Sequence, residues 1–203
     1  MKQMLLQRQA ELKEEIAEKE DQLQQVQHRL QQIEEEEKLP LFEIIVKSLP
    51  AYPIASIREI VGHKSEVPFY SRVLHPEIHY ELEKVGVERQ APSMNLYHHS
   101  DYTATNIDFE ACVVIPHQAL KKELNSRVQF RWLKEVPLAA TLLYSEDCDH
   151  VELAFMSLLQ WTARAGYRVA GPTREVHHAP MIHTVRNQQG DTIAEIQLPI
   201  EKM

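Results

Sequence analysis

The segment GPTREVHHA, Gly171 to Ala179, decides the fold, because it restates APSMNLYHHS, Ala91 to Ser100, at a distance of 80 residues. With that offset and no gap, Gly86 falls on Gly166, Ala91-Pro92 on Gly171-Pro172, Ser93 on Thr173, Leu96 on Val176 and His98 on His178. One position differs in kind: Asn95 stands where the second copy carries Glu175. Both segments read as strands.

Working outward, each strand follows a helix that ends at a glycine. PFYSRVLHPEIHYELEKVG (68–86) is the first, with Pro76 predicting a kink or a start inside it. DHVELAFMSLLQWTARAG (149–166) is the second, opened by Asp149 as an N-cap. Ahead of the first helix, LFEIIVKSLPAYPIASIREIV (41–61) reads as two strands broken around Pro50 and Pro53. Ahead of the second, VQFRWLKEVPLAATLLYS (128–145) again gives two strands around a proline, with Val136-Pro137 echoing Leu49-Pro50. IDFEACVVIP and TIAEIQLPI close the two halves as further strands.

The expected fold class is therefore α+β, a duplicated β-α-β-β domain over 41–203, with repeat one at about 41–117 and repeat two at about 127–203. A half of that size is a marginal folding unit, and one helix cannot cover both faces of a small sheet. Two halves side by side bury the remainder and leave a groove along a pseudo-twofold axis.

Residues 1–39 are a different text. From Lys2 to Lys38 there is no Gly, Pro or aromatic, and Gln, Glu, Lys, Leu and Ala dominate, which favours one long helix. Ile16, Leu23 and Leu30 fall seven apart, and Leu5, Leu12, Val26 and Ile33 form a second series. That seam suits a partner helix and predicts a dimerisation coiled coil, with its direction left open. A charged helix lying on its own domain is the alternative.

The composition is that of a soluble chain, 43% hydrophobic and 26% charged, with no apolar run of membrane-spanning length and no signal peptide. Two cysteines, Cys112 and Cys148, in no metal or redox pattern predict a reducing cytoplasm. A net charge of −8 argues against unaided binding to nucleic acid. No cofactor and no metal are expected.

Strand alternation puts Thr173, Glu175 and His177 on one face and Arg174, Val176 and His178 on the other. By the repeat, Ser93, Asn95 and Tyr97 share the first face. If both strands border the groove, Glu175, His177, Asn95 and Tyr97 converge there, and one acid lies in a nearly symmetrical cleft. Aromatic walls are expected from Tyr144, Phe155 and Trp161 in repeat two and Phe69 and Tyr70 in repeat one. An acid on the floor of an aromatic cavity receives a lipophilic cation by ion pairing and cation–π contact. The plain alternative is a surface glutamate paired with Arg174 or Arg168.

With these residues in view, GYRVAGPTREVHHA with its terminal TIAEIQLPI, matched by APSMNLYHHSDYTATNIDFEACVVIP, resembles the gyrase-inhibitor-like (GyrI-like) effector-binding domain. The preceding heptad helix resembles the one joining such a domain to the winged-helix DNA reader of MerR-type multidrug-responsive regulators. The resemblance covers essentially the whole chain. It implies a pocket between two modules, a central glutamate at Glu175 that meets cationic drugs, and a homodimer with antiparallel linker helices. The chain opens within a turn of the long helix, so DNA contact is expected only through a winged-helix domain absent from it.

Two further readings stay open. His75 and His79 share a helix face at ligand-compatible spacing, although Pro76 lies between them and no third metal ligand is fixed. Some GyrI-like proteins resemble small-molecule hydrolases, and Glu175 with a raised pKa would be the general base, with Tyr97 or His177 steadying the leaving group.

Overall fold

The computed structural model describes Met1, Lys19, Leu23 and residues 42–99, 103–145, 151–177 and 193–203. The chain divides into two compact units, Met1–Leu41 and Phe42–Met203. Lys19 and Leu23 are helical; the coiled coil expected over residues 1–39 otherwise lies outside the described residues, as do Asp149 and His178. Every element named below belongs to the second unit.

Its strands are β1 (Ile45–Leu49), β2 (Tyr52–His63), β3 (Gln90–Tyr97), β4 (Thr105–Val114), β5 (Gln129–Leu133), β6 (Val136–Ser145), β7 (Tyr167–Val169), β8 (Thr173–His177) and β9 (Ile193–Lys202), with helices α1 (Val67–Lys84) and α2 (Val151–Arg164). The fold is α+β, with a curled antiparallel sheet. The main path of the sheet runs β1-β6-β9-β8-β3-β4-β2-β5, and β7 hangs on β9. This order is a palindrome: matching β1 with β5, β2 with β6, β3 with β8 and β4 with β9 returns the same sequence read backwards.

The palindrome centres on β3 and β8. Across that junction Asn95 faces Glu175, Ser93 faces His177 and Tyr97 faces Thr173. Asn95 and Glu175 are each other's repeat equivalents, so the pseudo-twofold axis passes through this one cross-strand pair.

The first strands are exchanged, which the sequence does not reveal. β1 leaves repeat one to pair with β6, and β5 leaves repeat two to pair with β2. The two registers also correct the proline echo. Leu49 pairs with Val136 while Leu133 pairs with Tyr52, so Leu49 corresponds to Leu133 and Tyr52-Pro53 to Val136-Pro137. Each exchanged strand delivers a cation to a buried glutamate two strands away. Lys47 on β1 meets Glu195 on β9 at 2.5 Å, and Arg131 on β5 meets Glu110 on β4 at 2.7 Å.

Two cores lie between the helices and the sheet. Leu74, Ile78 and Leu82 of α1 pack on Ile57, Phe109 and Val113, whereas Ala154 and Leu158 of α2 pack on Leu142, Ile196 and Leu198. Pro76 does not break α1, which runs through it. Pro76 is exposed, and the carbonyl it frees, that of Arg72, lies on a residue open to water. Both helices stop at the expected glycines, Gly86 at φ 60° and Gly166 at φ 76°, where a side chain would be strained.

Candidate functional site

The start of α1 is fixed by a short turn. His63 Nδ1 accepts from the Ser65 backbone N–H at 3.2 Å, and Glu66 returns a bond to the His63 N–H at 3.2 Å. This capping box aims Lys64, Ser65, Val67 and Pro68 at the cavity that opens between the first turns of α1 and α2. The cavity encloses about 650 Å³, with Glu175, Tyr97 and Thr173 in its lining. Phe155, Leu159, Val151 and Ile107 supply apolar walls. At its lining Lys64 Nζ of repeat one meets Glu152 of repeat two at 2.5 Å.

Glu175 is 8% exposed and heavily bonded. Oε2 accepts from Asn95 Nδ2 at 3.0 Å and from the Tyr97 hydroxyl at 2.9 Å, and Oε1 accepts from the Tyr144 hydroxyl. Burial pushes its carboxyl upward, but the charge of His177 and the bonds from Asn95, Tyr144 and Tyr97 outweigh it. The carboxyl is held below its ordinary range and is ionised at neutral pH. The raised pKa expected for a general base is therefore reversed, because the neighbours are donors that stabilise the anion. Nor is Glu175 a surface residue paired with Arg174, which turns to the opposite face and donates Nη2 to the Lys134 carbonyl at 2.8 Å.

Asn95 does not line the cavity but orients its floor. Its Nδ2 is committed to Glu175, so its Oδ1 faces the Ser71 hydroxyl at 3.3 Å and His75 Nε2 at 3.0 Å. Both of these belong to α1, and both are buried. Burial pushes the His75 imidazole down to about 4, so it is neutral at pH 7 and carries its proton on Nε2, where Asn95 Oδ1 accepts it. His79 goes elsewhere, its Nε2 lying 3.2 Å from Arg89 Nη1. The two histidines therefore do not converge, and among the described residues no group of three His, Cys, Asp or Glu side chains can hold a metal.

His75 sets a pH dependence. Unfolded, its imidazole protonates near 6.5; folded, near 4. Between those values the unfolded chain binds more protons, so stability falls as pH falls through this window, by about 3 kcal/mol, and the His75 contribution is constant below it. Urea unfolding at pH 7, 5.5 and 4 measures this, and the difference between wild type and His75→Gln isolates the imidazole.

The aromatic residues divide. Phe155 meets Tyr97 edge-on at 5.7 Å, and Tyr97 meets Phe109 at the same separation, so these rings form a wall beside the acid. Tyr144 serves through its hydroxyl. His177 stands two residues beyond Glu175 on the same strand face, outside the lining, and acts on Glu175 through its charge. Phe69 and Trp161 are not in the cavity lining. Phe69 lies on the outer side of α1, 64% exposed and edge-on to Tyr70, because the inward face of that helix is Ser71, Leu74, His75 and Ile78. Trp161 falls on a different face of α2 from Phe155 and stacks on Tyr167 at 6.1 Å. Ser71, His75 and the Lys64–Glu152 pair were not foreseen as site residues. The helical spacing of Ser71 and His75 signals an inward polar patch, though not what it faces.

No protein-family model matches the sequence, and comparison with curated proteins gives no match. Among solved structures, the C-terminal domain of EcmrR superposes with a TM-score of 0.68 at 24% identity, over 81% of this chain and 100% of that one. EcmrR in its complex with DNA matches at a TM-score of 0.68 and 25% identity, over 98% of this chain and 72% of that one. An uncharacterised conserved protein from Listeria innocua shares the fold at a TM-score of 0.53 and 11% identity, over 84% of this chain and 98% of that one. No helix among the described residues is long and apolar enough to cross a membrane. By fold and by order of parts, the chain resembles the C-terminal, GyrI-like part of EcmrR, a MerR-family regulator.

Proposed function

We propose that this domain is the effector-binding part of a MerR-type regulator, that its effector is a lipophilic cation, and that the heptad helix pairs two copies. The observation that carries the ligand reading is an ionised carboxylate, Glu175, in the lining of a cavity whose walls are largely apolar. Each carboxylate oxygen already accepts a hydrogen bond from the protein. A cation that brings no N–H donors therefore gains the ion attraction without leaving a buried donor unpaired. Tyr97 and Phe155 offer ring faces and edges to the same charge. Contact with DNA belongs, in this reading, to a winged-helix reader of the kind MerR-type regulators carry, and the antiparallel pairing of the helices follows from the resemblance.

Calorimetric titration tests the ligand class. Tetraphenylphosphonium is expected to bind, and triphenylphosphine oxide, similar in shape but neutral, to bind at least roughly tenfold more weakly, because only the former meets the carboxylate charge. Equal affinity for the two removes Glu175 from recognition. Turnover of a neutral ester or epoxide without net cation preference would instead favour a hydrolase.

A further inference from the structure

We infer that the cavity is built for a dipolar effector, a lipophilic cation that also carries a carboxylate, with Glu175 meeting the positive end and Arg72 the negative one. The inference rests on the effector-site reading above and narrows its ligand class.

Apart from His99, the described lining carries two acids, Glu152 and Glu175, and two bases, Lys64 and Arg72. Lys64 and Glu152 answer each other at 2.5 Å. His99 is engaged through Nε2, which accepts from the Asp108 N–H at 2.8 Å. Glu175 is ionised and held by hydrogen-bond donors. Among the described residues no acid meets Arg72. The lining therefore presents a negative charge at Glu175 and a positive one at Arg72.

Arg72 is exposed, yet its side chain is tied down. Its Nε donates to the Pro68 carbonyl one turn back at 3.0 Å, and Pro68 lines the same cavity. That bond folds the chain along the first turn of α1, the direction in which helical side chains already lean. With Nε occupied, the Nη edge keeps its N–H donors for a ligand, and that planar edge suits a carboxylate. The neighbouring Ser71 hydroxyl faces Asn95 Oδ1 at 3.3 Å, and Asn95 reaches Glu175 at 3.0 Å. One ligand filling a cavity of about 650 Å³ touches both charges. A simple cation gains from Glu175 and is opposed by Arg72, whereas a carboxylate tail turns that opposition into attraction.

The repeat supports this polarity. At the offset of 80 that aligns Gly86 with Gly166, Arg72 falls on Glu152 and Asn95 on Glu175. Arg72 and Glu152 thus occupy matching positions on α1 and α2, both line the cavity, and they carry opposite charges. Lys64 meets Glu152, but its own counterpart in repeat two is Tyr144, whose hydroxyl is given to Glu175. The two halves therefore differ in charge at lining positions in a way that leaves one end of the site positive and the other negative.

The test uses the full chain and two probes with the same cationic head, (4-carboxybutyl)triphenylphosphonium and its methyl ester, titrated by calorimetry at pH 7 and low salt. Wild type is expected to bind the carboxylate roughly fivefold more tightly than the ester, the size of an ion pair open to water. Arg72→Gln should abolish that preference and bind the ester at least as well as wild type, because a like charge has gone. Arg72→Lys keeps the charge without the fork and should retain part of the preference. Glu175→Gln should weaken both probes. Thermal melts check that each variant is folded, as the exposure of Arg72 predicts. Wild type binding the ester as tightly as the carboxylate overturns the inference while leaving the effector reading intact. A preference that persists in Arg72→Gln also overturns it. Failure of wild type to bind either probe or tetraphenylphosphonium removes the effector reading, and this inference with it.

Discussion

Replacing Glu175 by glutamine is expected to lower affinity for tetraphenylphosphonium roughly 100-fold and to leave the affinity for triphenylphosphine oxide within about threefold of wild type. The substitution keeps the side chain's shape and removes its charge. In the ligand-free protein the carboxylate is surrounded by donors, so the glutamine oxygen retains one of them, and the tyrosine hydroxyls can rotate to accept from its NH2 group. Unfolding midpoints should therefore move little, because the loss of charge-assisted bonds is offset by the relief of burying a charge. Calorimetry on both ligands with thermal melts of the free proteins separates these effects. Comparable cation binding by the two proteins would sink the proposed recognition, since among the described residues nothing else in the lining offers an unshared negative charge. Glu152, the other acid there, is held by Lys64 at 2.5 Å.

That acid was visible in the sequence because the chain is written twice. A lone glutamate in a strand is unremarked, but Glu175 opposite Asn95 in an otherwise matching segment marks the place where two halves differ. The structure adds that these two positions are cross-strand partners, which no local pattern states. Helix ends were legible for a local reason as well: Gly86 and Gly166 take up left-handed backbone that other residues resist. What could not be read was non-local. The exchange of β1 and β5 depends on which distant strand offers the better edge, and the proline echo of Leu49-Pro50 misled because the register is fixed across the sheet. Phe69 and Trp161 failed as wall residues for the same kind of reason. Aromatic character predicts burial or contact, whereas the rotation of a helix about its axis is set by its whole inward stripe. His75 was visible only as one of two histidines on a helix, and its partner lies 20 residues on, in the next strand.

The exchange of first strands has a measurable energetic signature in the Arg131–Glu110 pair. Arg131 reaches both oxygens of Glu110 at 2.7 Å, and His98 Nε2 contacts Oε2 at 2.7 Å. Burial pushes the Glu110 carboxyl upward, but the bonds from His98, Arg131 and Ser56 prevail and hold it at about 2. Arg131→Met is expected to destabilise the domain by about 3–5 kcal/mol, since Glu110 is left buried with one cation partner removed. The combined Glu110→Leu, Arg131→Met protein should recover most of that loss, because an apolar pair of similar volume carries no desolvation cost. The sign of the pH effect follows from the depressed carboxyl. Its stabilisation is fully present above the unfolded value near 4.5 and is lost as pH falls toward 2. Urea unfolding of the three proteins at pH 7 and pH 3 measures both. The gap between wild type and Arg131→Met should narrow at pH 3, where the variant's acid can protonate. The corresponding pair on the other side of the pseudo-axis, Lys47–Glu195, has its cation 44% exposed and a single contact of 2.5 Å. Lys47→Met should therefore cost less than Arg131→Met. A reversed order would show that the bidentate bond of Arg131, rather than water's access to the lysine, had been wrongly credited with holding β5 in the other half's sheet.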